Sequence, residues 1–429
     1  MGFLKKHYHW LIALIVLLQL FILGGFFNNA NALFMLPVSE DMGISRTAFS
    51  LAMGCRGIIA FFAALMSGLF LTKLGFRRSA GITLLLAAAG IGLTASAKNI
   101  IVYAVGSSLM GLADGICIST GPARIIRSWF HKHQGTVLGV VSAATGIGGS
   151  ILCVLLNALI QNFNWRIAQW VSAGMMAVVA LLTLLLVRNQ PEEMDLKPFG
   201  EGQYDHKKKV AVKQWEGFAF EQLLRKPGFY ILLAVTLLST LLGYSMMHVM
   251  VPHFQDSGLT LDQATSLQSI FLLMLAGAKL ALGFIGDRAG PRWAALTCLT
   301  ATLLGLVIMA TIRNYFMGLL GVICMGFALA HTTITIPLLV PDLFGSRAQT
   351  TCIGIFAATI SLANMSAAPI VNAICERIHI SYRPVYQVGV VAMVGIIGLY
   401  LLLFFLASRD KKKAENAAVG ADAHIRPGR

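Results

Sequence analysis

Charged side chains are scarce in this chain. They make up 12% of its 429 residues, about half of the share in an ordinary soluble domain. Apolar residues make up 57%, and the mean hydropathy is +0.76. A water-soluble protein of this length needs more polar surface than these residues provide. Soluble enzymes, disulfide-rich secreted domains and disordered chains are therefore excluded.

The sequence also lacks the patterns that mark common active sites. It has no P-loop lysine motif, no H-E-x-x-H and no G-x-S-x-G. Its seven cysteines are an odd number, none form a C-x-x-C pair, and all lie in or beside apolar stretches. They are interpreted as small buried side chains. We therefore expect no enzyme activity, no cofactor and no metal.

Acidic residues are the scarcer of the two charges, with 18 Asp and Glu against 33 Lys and Arg, and the net charge is +15. On a soluble protein this excess would suggest nucleic acid. On a membrane protein it can instead report orientation, because basic residues are retained on the cytoplasmic side. The location of the basic residues decides between the two.

Long apolar runs account for most of the chain. A helix needs roughly 20 such residues to cross a bilayer, and twelve runs of about this length can be found. They lie near 10–33, 48–72, 79–97, 100–123, 135–161, 167–187, 228–251, 263–286, 293–312, 315–340, 350–375 and 385–407. The sequence therefore predicts an all-α membrane protein with twelve transmembrane helices.

The basic residues follow these spans. Of the 33, 25 fall on the side that carries both termini and 6 on the opposite side, while Arg56 and Lys279 fall inside spans. This asymmetry predicts that both termini face the cytoplasm. The excess charge is then an orientation signal, and we expect the lipid bilayer, and no nucleic acid, as a partner.

The two groups of six spans repeat each other at an offset of 215 residues. The matching pairs include Pro37 and Pro252, Gly43 and Gly258, Gly68 and Gly283, Gly75 and Gly290, Arg77 and Arg292, Pro122 and Pro337, and Gly139 and Gly354. Six spans per half give a parallel repeat, the plan of an alternating-access transporter. The predicted organisation is an N-terminal bundle at 1–187, a cytoplasmic linker at 188–227, a C-terminal bundle at 228–407 and a cytoplasmic tail at 408–429.

At the turn between the second and third span of each half, the chain resembles the major facilitator superfamily. The family signature G-x-x-x-D-R-x-G-R-[KR] matches GFIGDRAGPR at 283–292, whereas the first half has Thr72 at the Asp position and Lys73 at the Arg position. The resemblance implies two pseudo-symmetric bundles and a charged latch at the cytoplasmic face. The residues assigned to this gate are Gly68, Gly75, Arg77, Arg124, Gly283, Asp287, Arg288, Gly290 and Arg292.

Other segments resemble the bacterial oxalate/formate antiporter and monocarboxylate porter branch of that family. They are 129–135, 220–230, 251–260 and 342–345. In that branch a basic residue four positions before the glycine of helix 8 holds the substrate carboxylate, and the resemblance implies this role for Lys279. The lysine of helix 11 that oxalate-type members use has no counterpart at 350–375.

Five polar residues within the spans are candidates for function. A cation at the middle of a span is unfavourable by about 2.5–3.5 kcal/mol, so Lys279 is expected either to bind an anion or to pair within the protein. Arg56 could form a second clamp on the substrate or a helix contact. Asp114, the one acidic residue inside a span, could carry a proton or be the counter-ion of Arg56 or Lys279. His331 could bind substrate, relay protons or pack helices, and Asn28 could line the cavity.

These observations predict a secondary transporter of a small organic anion, with protons as the coupling ion. A monocarboxylate is the first candidate for the substrate. The alternatives are an anion exchanger of the dicarboxylate or oxalate/formate type, a transporter of neutral or zwitterionic solutes or drugs, and a non-transporting sensor on the same fold. We expect a monomeric multi-pass protein of a prokaryotic cytoplasmic (inner) membrane.

Overall fold

The structure is a computed structural model that describes residues 7–28, 30–200, 218–345, 347–378 and 382–424. Within these ranges, twelve helices are long and apolar enough to cross a membrane, which confirms the predicted fold class. They are α1 (Tyr8–Phe27), α2 (Arg46–Lys73), α3 (Gly75–Ala95), α4 (Ile100–Trp129), α5 (Gln134–Asn162), α6 (Trp165–Leu186), α7 (Pro227–Asp256), α8 (Leu261–Arg288), α9 (Pro291–Ala310), α10 (Tyr315–Phe344), α11 (Gln349–Ile378) and α12 (Arg383–His424).

The first span is shorter than the predicted run at 10–33. Its α-helix ends at Gln19 and is followed by a π-helix over Leu20–Gly24. Further along, the chain forms a 3-10 turn at Ala30–Phe34 and a short helix at Met35–Met42. Asparagine side chains compete with the backbone for hydrogen bonds and so weaken a helix. Asn28 ends an α-helical segment and Asn31 lies in the 3-10 turn, as this competition predicts.

The repeat at 215 residues extends to the helix ends. The side chains of Ser45 and Thr260 cap α2 and α8, at 3.1 Å from the Ala48 amide and 3.3 Å from the Gln263 amide, respectively. Asn99 and Asn314 cap α4 and α10 in the same way, each at 2.9 Å. Each such cap contributes about 1 kcal/mol to helix stability. The equivalent positions thus have equivalent local roles in the two halves.

A π-helical turn interrupts α4 and α10 at equivalent places. It covers Asp114–Thr120 in α4 and His331–Thr335 in α10. Each turn is followed within two residues by a proline, Pro122 or Pro337. Because proline has no amide hydrogen, it removes one helical hydrogen bond and widens the preceding turn. These turns contact α11 and α5 of the other half.

The two halves meet along two helix pairs, α5 with α8 and α2 with α11. Small residues allow the close approach. A Cβ atom built on Gly283 would lie 2.2 Å from the Gly135 carbonyl oxygen, and one on Gly68 would lie 3.2 Å from the Thr351 Cα. Both contacts lie at the face of the bundle that carries the chain ends, here called the termini face. In this structure the halves are therefore closed against each other at the termini face.

The outer surface is apolar. Many large hydrophobic side chains are exposed around the bundle, including Leu51, Ile101, Val154, Leu185, Leu273, Val388 and Val391. Soluble monomers rarely expose contiguous apolar surface of this extent. The exterior is suited to lipid, and the chain is a multi-pass membrane protein.

The connection between the halves is attached to the bundle at both ends. Phe199 forms an isolated β-bridge with Phe130 in the turn between α4 and α5, and the amides of His131 and Lys132 donate to its carbonyl oxygen. At the other end, the Phe218 amide donates to the Phe344 carbonyl oxygen at 3.1 Å. The connection is thus anchored to the end of α4 in the first half and to the end of α10 in the second.

Candidate functional site

Lys279 lies in α8 where this helix packs against α5 of the other half. Its side chain is 7% exposed. The ammonium nitrogen donates to the Thr145 hydroxyl at 2.9 Å and to the Ser142 carbonyl oxygen at 3.3 Å. Lys279 therefore reaches across the interface between the two halves.

The close helix packing explains this position. A Cβ atom built on Gly139 would lie 2.7 Å from the carbonyl oxygen of Lys279, so only glycine allows α5 to approach α8 here. The methyl group of Thr145 in turn lies against Gly24 of α1. Three helices thus converge on the lysine, and water is largely excluded from its side chain.

Among the described residues, no acidic side chain pairs with Lys279. Its two hydrogen-bond partners are a hydroxyl and a carbonyl oxygen, which are neutral. A buried ammonium without a counter-ion is unfavourable by several kcal/mol. An anion bound at this position would supply the missing negative charge.

Arg56 and Asp114 form the second charged group, inside the first half. The Arg56 Nε atom lies 3.7 Å from the Asp114 Oδ2 atom, and the side chains are 18% and 19% exposed. Arg56 also donates to the Phe27 carbonyl oxygen at 3.0 Å and lies over the Phe27 ring. Gly111 brings α4 against the Arg56 carbonyl oxygen. No contact among the described residues joins this pair to Lys279.

His331 is held on the side of α10 that faces α12. It is 1% exposed, and its Nε2 atom lies 2.8 Å from the Tyr400 hydroxyl. The two rings are in edge contact. The structure does not bring His331 into contact with Lys279, Arg56 or Asp114 within the described chain. Asn28 is the last residue of the helical segment Gly25–Asn28, and its side chain lies outside the described residues.

Asp287, which the sequence analysis assigns to the gate, contacts the opposite half. Its two carboxylate oxygens accept hydrogen bonds from the amides of Gly135 and Thr136, both at 2.7 Å. These amides belong to the first turn of α5, where backbone N–H groups have no partner within the helix. The carboxylate thus caps a helix of the opposite half, and the helix dipole favours its negative charge.

The remaining second-half gate residues support this end of α8. The Arg288 guanidinium lies over the Phe284 ring at 4.2 Å. Arg292 forms a 2.9 Å ion pair with Asp342 and donates to the Ser408 hydroxyl at 2.9 Å. Gly290 has a φ of 99°, a conformation that glycine adopts without strain, and it turns the chain from α8 into α9.

The first half has the same frame without the carboxylate. Gly75 turns the chain with a φ of 74°, and Arg77 donates to the Leu184 carbonyl oxygen at 2.6 Å. Thr72, at the position equivalent to Asp287, donates its hydroxyl to the Gly68 carbonyl oxygen of its own helix at 2.7 Å. Arg124 instead reaches α11, at 3.4 Å from the Thr350 hydroxyl.

Replacing Asp287 with alanine is expected to lower the unfolding temperature of the purified protein. The substitution leaves two amides of α5 without partners, which corresponds to about 1–2 kcal/mol for a lost cap. Thr72→Ala is the matched control, because this hydroxyl bonds only its own helix. Equal unfolding temperatures for the two variants would contradict the capping role.

Thr145 and Ser142 are site residues that the sequence analysis did not identify. They lie in a stretch of α5 that is rich in glycine, alanine, serine and threonine. Such a stretch indicates close helix packing. It does not by itself indicate which of its small polar residues meets the lysine.

A family model described as Major Facilitator Superfamily matches residues 15–260 and 235–428. Among curated proteins, the chain is 22% identical over 186 residues to the membrane sensor protein UhpC of Salmonella typhimurium, covering 41% of this chain and 40% of that protein. It is 27% identical over 219 residues to monocarboxylate transporter 12 of Xenopus laevis, covering 47% of this chain and 46% of that protein. These matches span less than half the length of either relative.

Solved structures share the fold over nearly the whole chain. The structure of a proton:xylose symporter bound to 6-bromo-6-deoxy-D-glucose superimposes with a TM-score of 0.71 at 14% sequence identity, covering 94% of this chain and 96% of that one. At this identity the likeness shows the fold alone.

Proposed function

This chain belongs to the major facilitator superfamily, and on that premise we propose that it transports a small organic anion by alternating access. A monocarboxylate is the first candidate for this anion. The observation that carries the proposal is Lys279, a buried cation between the two halves without an acidic partner in the described chain. A substrate carboxylate would supply the missing charge. The relatedness to a protein named monocarboxylate transporter 12 supports the same substrate class.

The position of Lys279 suits a site that alternates between the two faces. The residue lies about nine positions from the end of α8, or ~13 Å at 1.5 Å per residue, and so well inside the membrane. We propose that residues 1–187 and 228–407 rock as two bodies about this point, with 188–227 as their connection. The contacts at Asp287 and Gly283 would break when the termini face opens.

The proposal is tested by uptake into vesicles that contain the purified protein. We expect labelled monocarboxylates to be taken up and unlabelled ones to compete, while neutral and zwitterionic solutes of similar size do not. Competition by dicarboxylates or oxalate would favour an exchanger instead. Uptake of neutral solutes with no effect of anions would contradict the anion site.

A sensor is the second candidate, because one relative is named a membrane sensor protein. A sensor would bind the anion without moving it. Counterflow distinguishes the two, since a transporter loaded with unlabelled anion on one side accumulates labelled anion from the other. Binding without counterflow would favour the sensor.

Replacing Asp114 with asparagine is expected to abolish the stimulation of uptake by an inward proton gradient, if protons are the coupling ion and Asp114 is their carrier. The carboxylate is partly exposed and only 3.7 Å from the Arg56 guanidinium, so protonation would release the arginine. Asp114→Glu, which keeps a titratable group, is the control. A preserved response to the gradient in Asp114→Asn, with normal uptake, would assign Asp114 to structure as the counter-ion of Arg56.

We further propose that the protein is a monomer of the cytoplasmic membrane with both termini in the cytoplasm. The excess of 25 basic residues on the termini face against 6 on the opposite face supports this orientation. Protease cleavage of the tail in right-side-out and inverted vesicles tests it, and cleavage only in the former would reverse the assignment.

A further inference from the structure

A polar cavity lies at the termini face, apart from Lys279. It has a volume of about 300 Å³ and lies where the end of α4 meets the start of α11. Its polar lining consists of Thr120, Arg124, Arg127, Ser128, Asn189, Gln190, Gln349 and Thr350. The lining contains two cations and no acidic side chain.

The two arginines are not neutralised within the described chain. Arg124 has one hydrogen bond, to the Thr350 hydroxyl at 3.4 Å. Arg127 has a buried Nη1 atom that makes no hydrogen bond to any described residue. No carboxylate in this part of the structure pairs with either residue. A partly buried guanidinium favours a bidentate oxyanion partner.

In the other half, an anion caps the helix start that is equivalent to the start of α11. There the Asp287 carboxylate accepts two hydrogen bonds from the first turn of α5, at Gly135 and Thr136. The repeat offset of 215 residues places Thr350 and Thr351 of α11 at the positions of these two amides. Helix α2 passes α11 as closely as this arrangement requires, since a Cβ atom built on Gly68 would lie 3.2 Å from the Thr351 Cα.

The residue that would supply the carboxylate is absent from the first half. Thr72 stands there, and its hydroxyl donates to carbonyl oxygens of its own helix. The start of α11 is therefore packed against α2 as the start of α5 is packed against α8. It has two arginines nearby but no carboxylate to cap it. In the second half the gate contains the Asp287 carboxylate, whereas in the first half it contains the cavity.

We propose that this cavity binds a small oxyanion, a carboxylate or a phosphate group, which takes the place of the missing Asp side chain. Arg124 and Arg127 would hold it against the first turn of α11. The bound anion would join the end of α4 to α11, that is, the first half to the second, and so stabilise the state in which the termini face is closed. This site is separate from the transport site at Lys279 and does not depend on what that site carries.

The test is the unfolding temperature of the full-length protein in detergent, titrated with sodium phosphate against sodium chloride at equal ionic strength. An anion that binds only the folded state raises this temperature as its concentration passes the Kd. We expect phosphate to raise it by about 2 °C or more at saturation. Arg127→Gln is expected to weaken the apparent affinity roughly tenfold, as for the loss of a charge-assisted hydrogen bond.

Thr72→Asp is the decisive variant, because it restores the carboxylate that the other half has. We expect a higher unfolding temperature without added anion and no further rise with phosphate. Lys279→Ala separates the two sites, and it should leave the response to the anion unchanged. An equal response of Thr72→Asp and the parent protein, or its loss in Lys279→Ala, would overturn the proposal.

The oxyanion could come from the aqueous phase or from a lipid headgroup. Repeating the titration in nanodiscs of zwitterionic lipid and of lipid with a phosphomonoester headgroup distinguishes these sources. A rise with added phosphate in zwitterionic nanodiscs indicates a free anion. A rise that phosphate does not cause but the anionic lipid does, and that Thr72→Asp removes, identifies the headgroup as the ligand. No rise in either membrane or in detergent would refute the site.

Discussion

Replacing Lys279 with alanine is expected to lower anion uptake at least a hundredfold without removing the protein from the membrane. A hundredfold change corresponds to about 2.7 kcal/mol, which is within the range of a charge-assisted hydrogen bond to a carboxylate, about 1.5–3 kcal/mol. Because the site excludes water, the interaction between the lysine and the carboxylate is screened little. Its loss therefore weakens the binding of the anion during transport. Uptake is measured in vesicles with equal amounts of parent and variant protein.

The stability of the same variant separates a binding role from a structural one. Alanine removes two hydrogen bonds, to Thr145 and Ser142, but it also removes a buried cation without a counter-ion. We therefore expect the unfolding temperature to be unchanged or higher. Lys279→Arg should retain part of the uptake, since it keeps the charge at this position. Full uptake in Lys279→Ala would refute the anchor, and a large fall in unfolding temperature would indicate that the lysine is mainly structural.

Replacing Gly283 with alanine is expected to reduce uptake at least fivefold by preventing closure of the termini face. The new methyl group would lie 2.2 Å from the Gly135 carbonyl oxygen, whereas a carbon and an oxygen in contact need about 3.3 Å. The halves would have to separate by roughly 1 Å here. Overpacking of this kind is unfavourable by about 1–3 kcal/mol, and it opposes only the conformation in which α5 and α8 meet.

Gly277→Ala is the matched control, since it lies in the same helix and has nothing within 4 Å of the added methyl group. A cysteine introduced by Leu138→Cys reports on closure, because Leu138 lines the space between the halves at the termini face and is buried. We expect this cysteine to react faster with an alkylating reagent in Gly283→Ala than in Gly277→Ala. Equal uptake and equal reactivity in the two backgrounds would refute the role of this contact.

The sequence was sufficient for the fold because the signals for it are long and repeated. Twenty-residue apolar runs are hard to mistake, and glycine and proline pairs at one offset define two equivalent halves. The position of Lys279 in the bilayer follows from its distance to the end of α8. What the sequence could not provide is contact between distant segments. Arg56 and Asp114 are 58 positions apart, and the sequence alone leaves open whether Asp114 pairs with Arg56 or with Lys279.

The direction in which a side chain points from its helix was the second property that the sequence could not provide. His331 and Lys279 both lie deep in spans, and periodicity alone does not distinguish a residue that faces the other half from one that faces its own. The structure separates them, because His331 is bonded to Tyr400 of α12 and Lys279 to Thr145 of α5. The hydrogen-bonding capacity of Tyr400, 69 positions away, is not visible in the sequence around His331.

The paired π turns of α4 and α10 bear on the origin of the chain. Both turns end before a proline at the same relative position, Pro122 or Pro337, as expected for two copies of one six-helix ancestor. The charged residues within the spans and the gate carboxylate have no such twin. The positions equivalent to Lys279, Asp114 and Asp287 hold alanine, leucine and threonine, respectively. The backbone irregularity is thus common to the two copies, as expected if it preceded the duplication, whereas these three charges differ between them.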